Sequence, residues 1–114
     1  VMQRLYSLGT KPDWWKLEPQ KTARAWANIS AEIDVNDALC RGIVVLGLDA
    51  PADELAEAFR IARGATRVKG FAVGRTIFAD PARAWMAGKI DDAMATQQMA
   101  ERFASLVEAW EKAS

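Results

Sequence analysis

A lysine stands inside an apolar stretch, Lys11-Pro12-Asp13-Trp14-Trp15-Lys16-Leu17-Glu18-Pro19. An amine attacks a carbonyl carbon only when deprotonated. The ordinary lysine pKa, ~10.4, must then be lowered by desolvation or by a nearby cation. Read as a strand, the stretch puts Trp14, Lys16 and Glu18 on one face and Asp13, Trp15 and Leu17 on the other. Trp14 would be an apolar wall for Lys16. Glu18 would oppose a lowered pKa if it points at the amine, yet it is placed to move protons as an imine forms and breaks. Lys11 and Lys69 are the candidate cationic neighbours. The plainer reading is a lysine whose charge reaches water or pairs with Glu18.

Two further stretches carry residue types suited to a ligand. In Gly70-Phe71-Ala72-Val73-Gly74-Arg75-Thr76, Gly74 permits close approach to the backbone and Arg75 brings a fork that fits an oxyanion. The alternative is a packing glycine and an arginine bonded to a helix end or an acid. The glycines are too few and wrongly spaced for a nucleotide-binding loop. In Gly47-Leu48-Asp49-Ala50-Pro51, Gly47 would clear room for a substrate, and Asp49 would contact a hydroxyl or cap the next helix.

The absences narrow the chemistry. With no histidine and one cysteine, Cys40, the 114 residues offer neither imidazole acid–base chemistry nor a good zinc site, and no internal disulfide. No cofactor or metal is expected. Fifteen basic and fifteen acidic residues cancel, which gives no global drive toward nucleic acid or an anionic membrane. No signal peptide and no span of about 20 apolar residues is seen, so a soluble, cytoplasmic protein is expected.

The elements that must position these residues follow a simple order. Residues 1 to 8 read as the last turns of a helix with Gly9 as its cap. Residues 13 to 17 form a strand that Pro19 ends, and 20 to 34 a helix with Trp26 and Ile33 on its apolar side. Residues 42 to 49 are apolar and β-branched, the pattern of a parallel strand buried on both faces. Pro51, Asp53 and Glu54 start a helix that Gly64 stops. Residues 68 to 75 form a third, glycine-rich strand. Asp80-Pro81 starts a short helix packed through Ala82, Trp85 and Met86. Asp91 or Asp92 opens a long one with Met94, Met99, Phe103, Leu106, Val107 and Trp110 as its buried stripe.

This is α/β with parallel-strand character, in units of about 25 to 30 residues, the pitch of a (β/α)8 barrel. Three strands cannot close a barrel. The expectation is a single domain, residues 1 to 114, forming the C-terminal portion of a TIM barrel. An abrupt helical start agrees with that. Such a portion exposes a strand edge and an apolar inner face, and so invites self-association or the missing barrel part.

Together, Pro12-Asp13-Trp14-Trp15-Lys16-Leu17-Glu18-Pro19, the run from Arg41 through Gly47 to Pro51, and Lys69-Gly70-Phe71-Ala72-Val73-Gly74-Arg75-Thr76-Ile77-Phe78 resemble a bacterial domain formerly of unknown function. That domain is often fused behind the sugar kinase 5-dehydro-2-deoxygluconokinase of inositol catabolism. It is similar to class I aldolases of the tagatose-1,6-bisphosphate type. The resemblance implies that the strands are the sixth to eighth of the barrel and that Lys16 is the imine-forming lysine; Glu18 is its candidate catalytic partner from the strand reading alone. The resemblance puts a substrate phosphate at Gly47, Gly74 and Arg75; Asp49 and Trp14 stay candidate substrate contacts from the reading of the residues themselves. It implies cleavage of a phosphorylated keto sugar, such as 2-deoxy-5-keto-gluconate 6-phosphate, to dihydroxyacetone phosphate and malonic semialdehyde. Chemistry through an imine needs no metal. The alternative is a non-catalytic structural or regulatory module associated with a sugar kinase.

Overall fold

The computed structural model describes residues 1–47 and 49–113; Leu48, within the second predicted strand, and Ser114 lie outside them. The elements are α1 (Met2–Ser7), β1 (Trp14–Leu17), α2 (Ala23–Asn36), β2 (Gly42–Val45), α3 (Ala52–Arg63), β3 (Val68–Phe71), α4 (Arg75–Met86) and α5 (Asp92–Lys112). The strands form one parallel sheet in the order β1-β2-β3. The chain is thus α/β, as the repeated strand–helix pattern predicts.

Local chemistry explains the boundaries. Gly9, at φ 86°, closes α1: its N–H reaches Tyr6 O while that of Thr10 reaches Leu5 O, the paired bonds of a Schellman turn. The second helix begins at Ala23 rather than at 20, because the Thr22 hydroxyl accepts from the Ala25 N–H and caps it. Asp91 caps α5 in the same way, through Met94 N at 2.8 Å. Gly42, at φ 147°, opens β2; a side chain there would lie 2.8 Å from both Arg67 O and Lys69 Cγ.

The third strand and fourth helix differ from the sequence reading. The strand ends at Phe71, and α4 starts at Arg75, not at Asp80-Pro81. Gly74 is its N-cap, and Gly74 O accepts from Ile77 N and Phe78 N. Pro81 therefore sits within the helix, its ring fully buried. It forfeits one backbone bond there, and burial of the ring offsets part of that loss.

One face of the sheet is covered. Trp15, Ile43, Val45 and Val68 meet Trp26 and Ile33 of α2 and Ala62 of α3 in the main core. A second cluster joins Leu55 and Phe59 of α3 to Leu106 of α5, with Phe71, Ile77 and Trp110 against it. The opposite face carries Trp14, Lys16, Val44 and Gly70, and no element covers it among the described residues. Trp14 and Lys16 are exposed, Val44 is half-buried, and a Cβ on Gly70 would meet nothing within 4 Å. Burial of β2 on both faces is therefore not observed, whereas a bare apolar face is.

The helical hairpin of α4 and α5 also buries less than its pattern suggests. Trp85, Met86, Met94 and Phe103 are exposed, because α4 packs mainly on α5 and, among the described residues, no third layer covers their outer sides. Trp85 instead donates its indole N–H to Asp92 Oδ1 at 2.6 Å.

Candidate functional site

Parallel strands deliver their last residues to one end of the sheet, where the chain must turn into a helix and leaves polar backbone unpaired. Here that end carries a cleft of about 330 Å³. Lys16, Gly47, Asp49, Gly74 and Arg75 all line it, with Val73, Thr76 and Phe78. Five residues singled out in the sequence thus come together from three separate strand ends. Trp14 and Glu18 do not line it.

Lys16 is the penultimate residue of β1 and stands on the bare face of the sheet. The Leu17 carbonyl just beyond it accepts from Leu46 N at 2.9 Å, which ties the lysine's strand end to the turn carrying Gly47. The expected apolar wall is not there: Trp14 lies one pleat away, over Gly42 and beside Lys69, and Lys16 is solvent-exposed. Glu18 lies past the end of β1, and its backbone carbonyl takes the Gln20 side-chain N–H at 2.9 Å.

Asp49 occupies the left-handed region at φ 58°, uncommon for a residue other than glycine and characteristic of a tight turn. Its carboxylate pairs with Arg75 Nη1 at 3.0 Å, and no side-chain bond caps α3. Of the readings available for Arg75, partnership with an acid is the one observed. Both side chains are more than half exposed, so the pair is weak and either partner is free to turn to a ligand. Gly47 has a packing reason of its own: a Cβ there would lie 2.9 Å from Val73 Cγ1. Gly74 is likewise covered by the Phe78 ring, 3.0 Å from the place a Cβ would take.

Gly74 stands at the N-terminal end of α4. Its carbonyl occupies the N–H groups of Ile77 and Phe78, while those of Arg75 and Thr76 have no intrahelical acceptor. With the Arg75 guanidinium alongside, the rim of the cleft is rich in donors and suited to an oxyanion. Val73, Thr76 and Phe78 were not singled out in the sequence. The signal for them was the helix start at Gly74, which the Asp80-Pro81 pair obscured.

Among the described residues, no group of three or more histidine, cysteine or acidic side chains is placed to hold a metal ion. None of the described helices is long and apolar enough to cross a membrane.

A family model described as an uncharacterized protein conserved in bacteria, DUF2090, matches residues 1–114. No curated protein and no solved structure matches the chain.

Proposed function

The chain belongs to the DUF2090 family of proteins conserved in bacteria, and we propose that it forms the lysine-bearing part of a class I, Schiff-base aldolase of the (β/α)8 type. The observation that carries the proposal is the shared cleft at the carboxyl end of the sheet, where Lys16 and Arg75 stand on one opening. The bare sheet face agrees with it. A parallel sheet covered on one side only is an unfinished layer, and the inner face of a barrel is what would finish it.

The reaction follows from those groups. The Lys16 amine adds to the substrate ketone, and loss of water gives a protonated imine. A base removes the proton from the hydroxyl two carbons from the imine carbon. The bond between the hydroxyl-bearing carbon and the carbon next to the imine breaks, its electron pair passes to the imine to give an enamine, and the hydroxyl-bearing carbon leaves as an aldehyde. Protonation of the enamine carbon and addition of water release the second product and regenerate the amine. For 2-deoxy-5-keto-gluconate 6-phosphate the products are malonic semialdehyde and dihydroxyacetone phosphate. Arg75 and the first N–H groups of α4 hold the phosphate; Asp49, released from Arg75, meets a substrate hydroxyl. Glu18 comes to bear on the imine when its loop turns inward.

A second reading rests on the exposure of Lys16. Without a cover over the bare face the lysine is an ordinary surface amine, and the domain is then a structural or regulatory module that docks this face on a sugar kinase or on further barrel strands. A coupled assay for dihydroxyacetone phosphate separates the two. The natural polypeptide should release it from the keto-sugar phosphate, and Lys16→Met should abolish release without unfolding the protein. Equal rates in the two proteins would leave the module reading.

A further inference from the structure

A second cavity is larger than the cleft at Lys16. It lies on the other side of Arg75, between the start of α3 and the α4–α5 hairpin, and measures about 710 Å³, the size of a small-molecule site. Ala50, Pro51, Ala79 and Leu106 make apolar walls. Three guanidiniums, those of Arg75, Arg83 and Arg102, meet two carboxylates, Asp49 and Asp80, an excess of one positive charge (3 − 2).

The arrangement of these charges is specific. Asp80 accepts from Arg83 Nη2 at 2.5 Å and from Arg102 Nη1 at 3.3 Å, so one carboxylate holds guanidiniums from two helices. Hydrogen bonds from Arg83 and then from Arg102 keep the Asp80 carboxyl below the usual carboxylate range, and the carboxylate stays charged near neutrality. Arg102 Nη1 also reaches Thr76 O at 3.3 Å. Among the described residues these bonds occupy one nitrogen of each guanidinium, and the remaining donors of both forks are open. Two long side chains are thus ordered before a ligand arrives, which reduces the entropy lost on binding.

We propose that this cavity binds a small phosphate monoester, with the phosphate on the forks of Arg83 and Arg102 and the organic group against Pro51 and Leu106. Three phosphate oxygens can engage two forks approaching from different helices, and a second negative charge suits paired guanidiniums; a carboxylate offers two oxygens and one charge. The site is separate from the imine chemistry. It shares with that cleft the wall formed by Asp49, Arg75 and Thr76 and does not depend on the role of Lys16.

Calorimetric titration of the whole chain with phenyl phosphate tests this. Saturable one-site binding is expected, weakened about tenfold or more in Arg83→Gln and in Arg102→Gln, with benzoate weaker than phenyl phosphate by a similar factor. Arg102→Lys, which keeps the charge and loses the fork, should weaken it as well. Lys16→Met should leave it unchanged. Absence of saturable heat, or undiminished affinity in the arginine variants, would overturn the proposal. So would loss of binding in Arg75→Gln with full affinity kept in Arg83→Gln and Arg102→Gln, because the phosphate would then sit in the other cleft. Should Arg102→Gln fail to fold by circular dichroism, Arg83→Gln, on a side chain 72% exposed, carries the test.

Discussion

Tyr6 and Trp15 show how single side chains hold the strand that carries Lys16. The Trp15 indole N–H donates to Tyr6 Oη at 2.8 Å within the core, and the rings meet edge to face at 5.4 Å. Burial pushes the Tyr6 hydroxyl above its ordinary value; the bond from Trp15 works against that shift without cancelling it. A folded pKa above the unfolded one gives a contribution fully present below the unfolded value. It is lost as pH rises through the folded value. Stability should therefore fall on the alkaline side of about pH 10. Tyr6→Phe should flatten that fall while lowering stability at neutral pH by about 1–3 kcal/mol, since it leaves the buried indole donor unpaired. Urea unfolding at both pH values checks this, and because Tyr6 is the only tyrosine, phenolate absorbance reports its titration directly.

At the scale of elements, β2 depends on its first residue. Gly42 combines φ 147° with backbone and side-chain atoms 2.8 Å from a Cβ position, and Trp14 lies 3.3 Å away. Gly42→Ala should cost about 1–3 kcal/mol and disturb the pairing with Trp14, measured as a lower urea midpoint. The strands were legible in the sequence because β-branched and aromatic runs bounded by Gly and Pro have few other uses. The cleft was legible for the same reason: once strand ends are known, Lys16, Gly47, Asp49, Gly74 and Arg75 must meet at one end of a parallel sheet. The start of α4 was not. Asp80-Pro81 has the chemistry of a cap, and only packing decides otherwise, through the Phe78 ring over Gly74 and the buried ring of Pro81. Trp85 and Met94 were misread because helical spacing reports a stripe and not whether anything lies against it. Arg83 and Arg102 meet Asp80 only because α4 folds back on α5, a juxtaposition that no local pattern encodes.

The whole molecule is a slab. Its radius of gyration is 16.5 Å and its extents are 51 × 30 × 20 Å, against roughly 13 Å expected for a compact domain of this length. Among the described residues the three strands leave two unpaired edges, and nothing covers the face bearing Trp14, Lys16 and Val44. Open edges and bare apolar surface favour association. Sedimentation of the chain by itself should give a mass above that of one copy, and Trp14→Lys with Val44→Lys should return it to the monomer. A monomer at all concentrations would count against an unfinished layer.

The role of Lys16 stands or falls on a covalent bond. The natural polypeptide is incubated with a keto-sugar phosphate, reduced with borohydride and digested for mass spectrometry. A reduced adduct on Lys16 is expected, absent without substrate and absent in Lys16→Met. No adduct, or an adduct spread over Lys11, Lys21 and Lys69 as readily as Lys16, would contradict it.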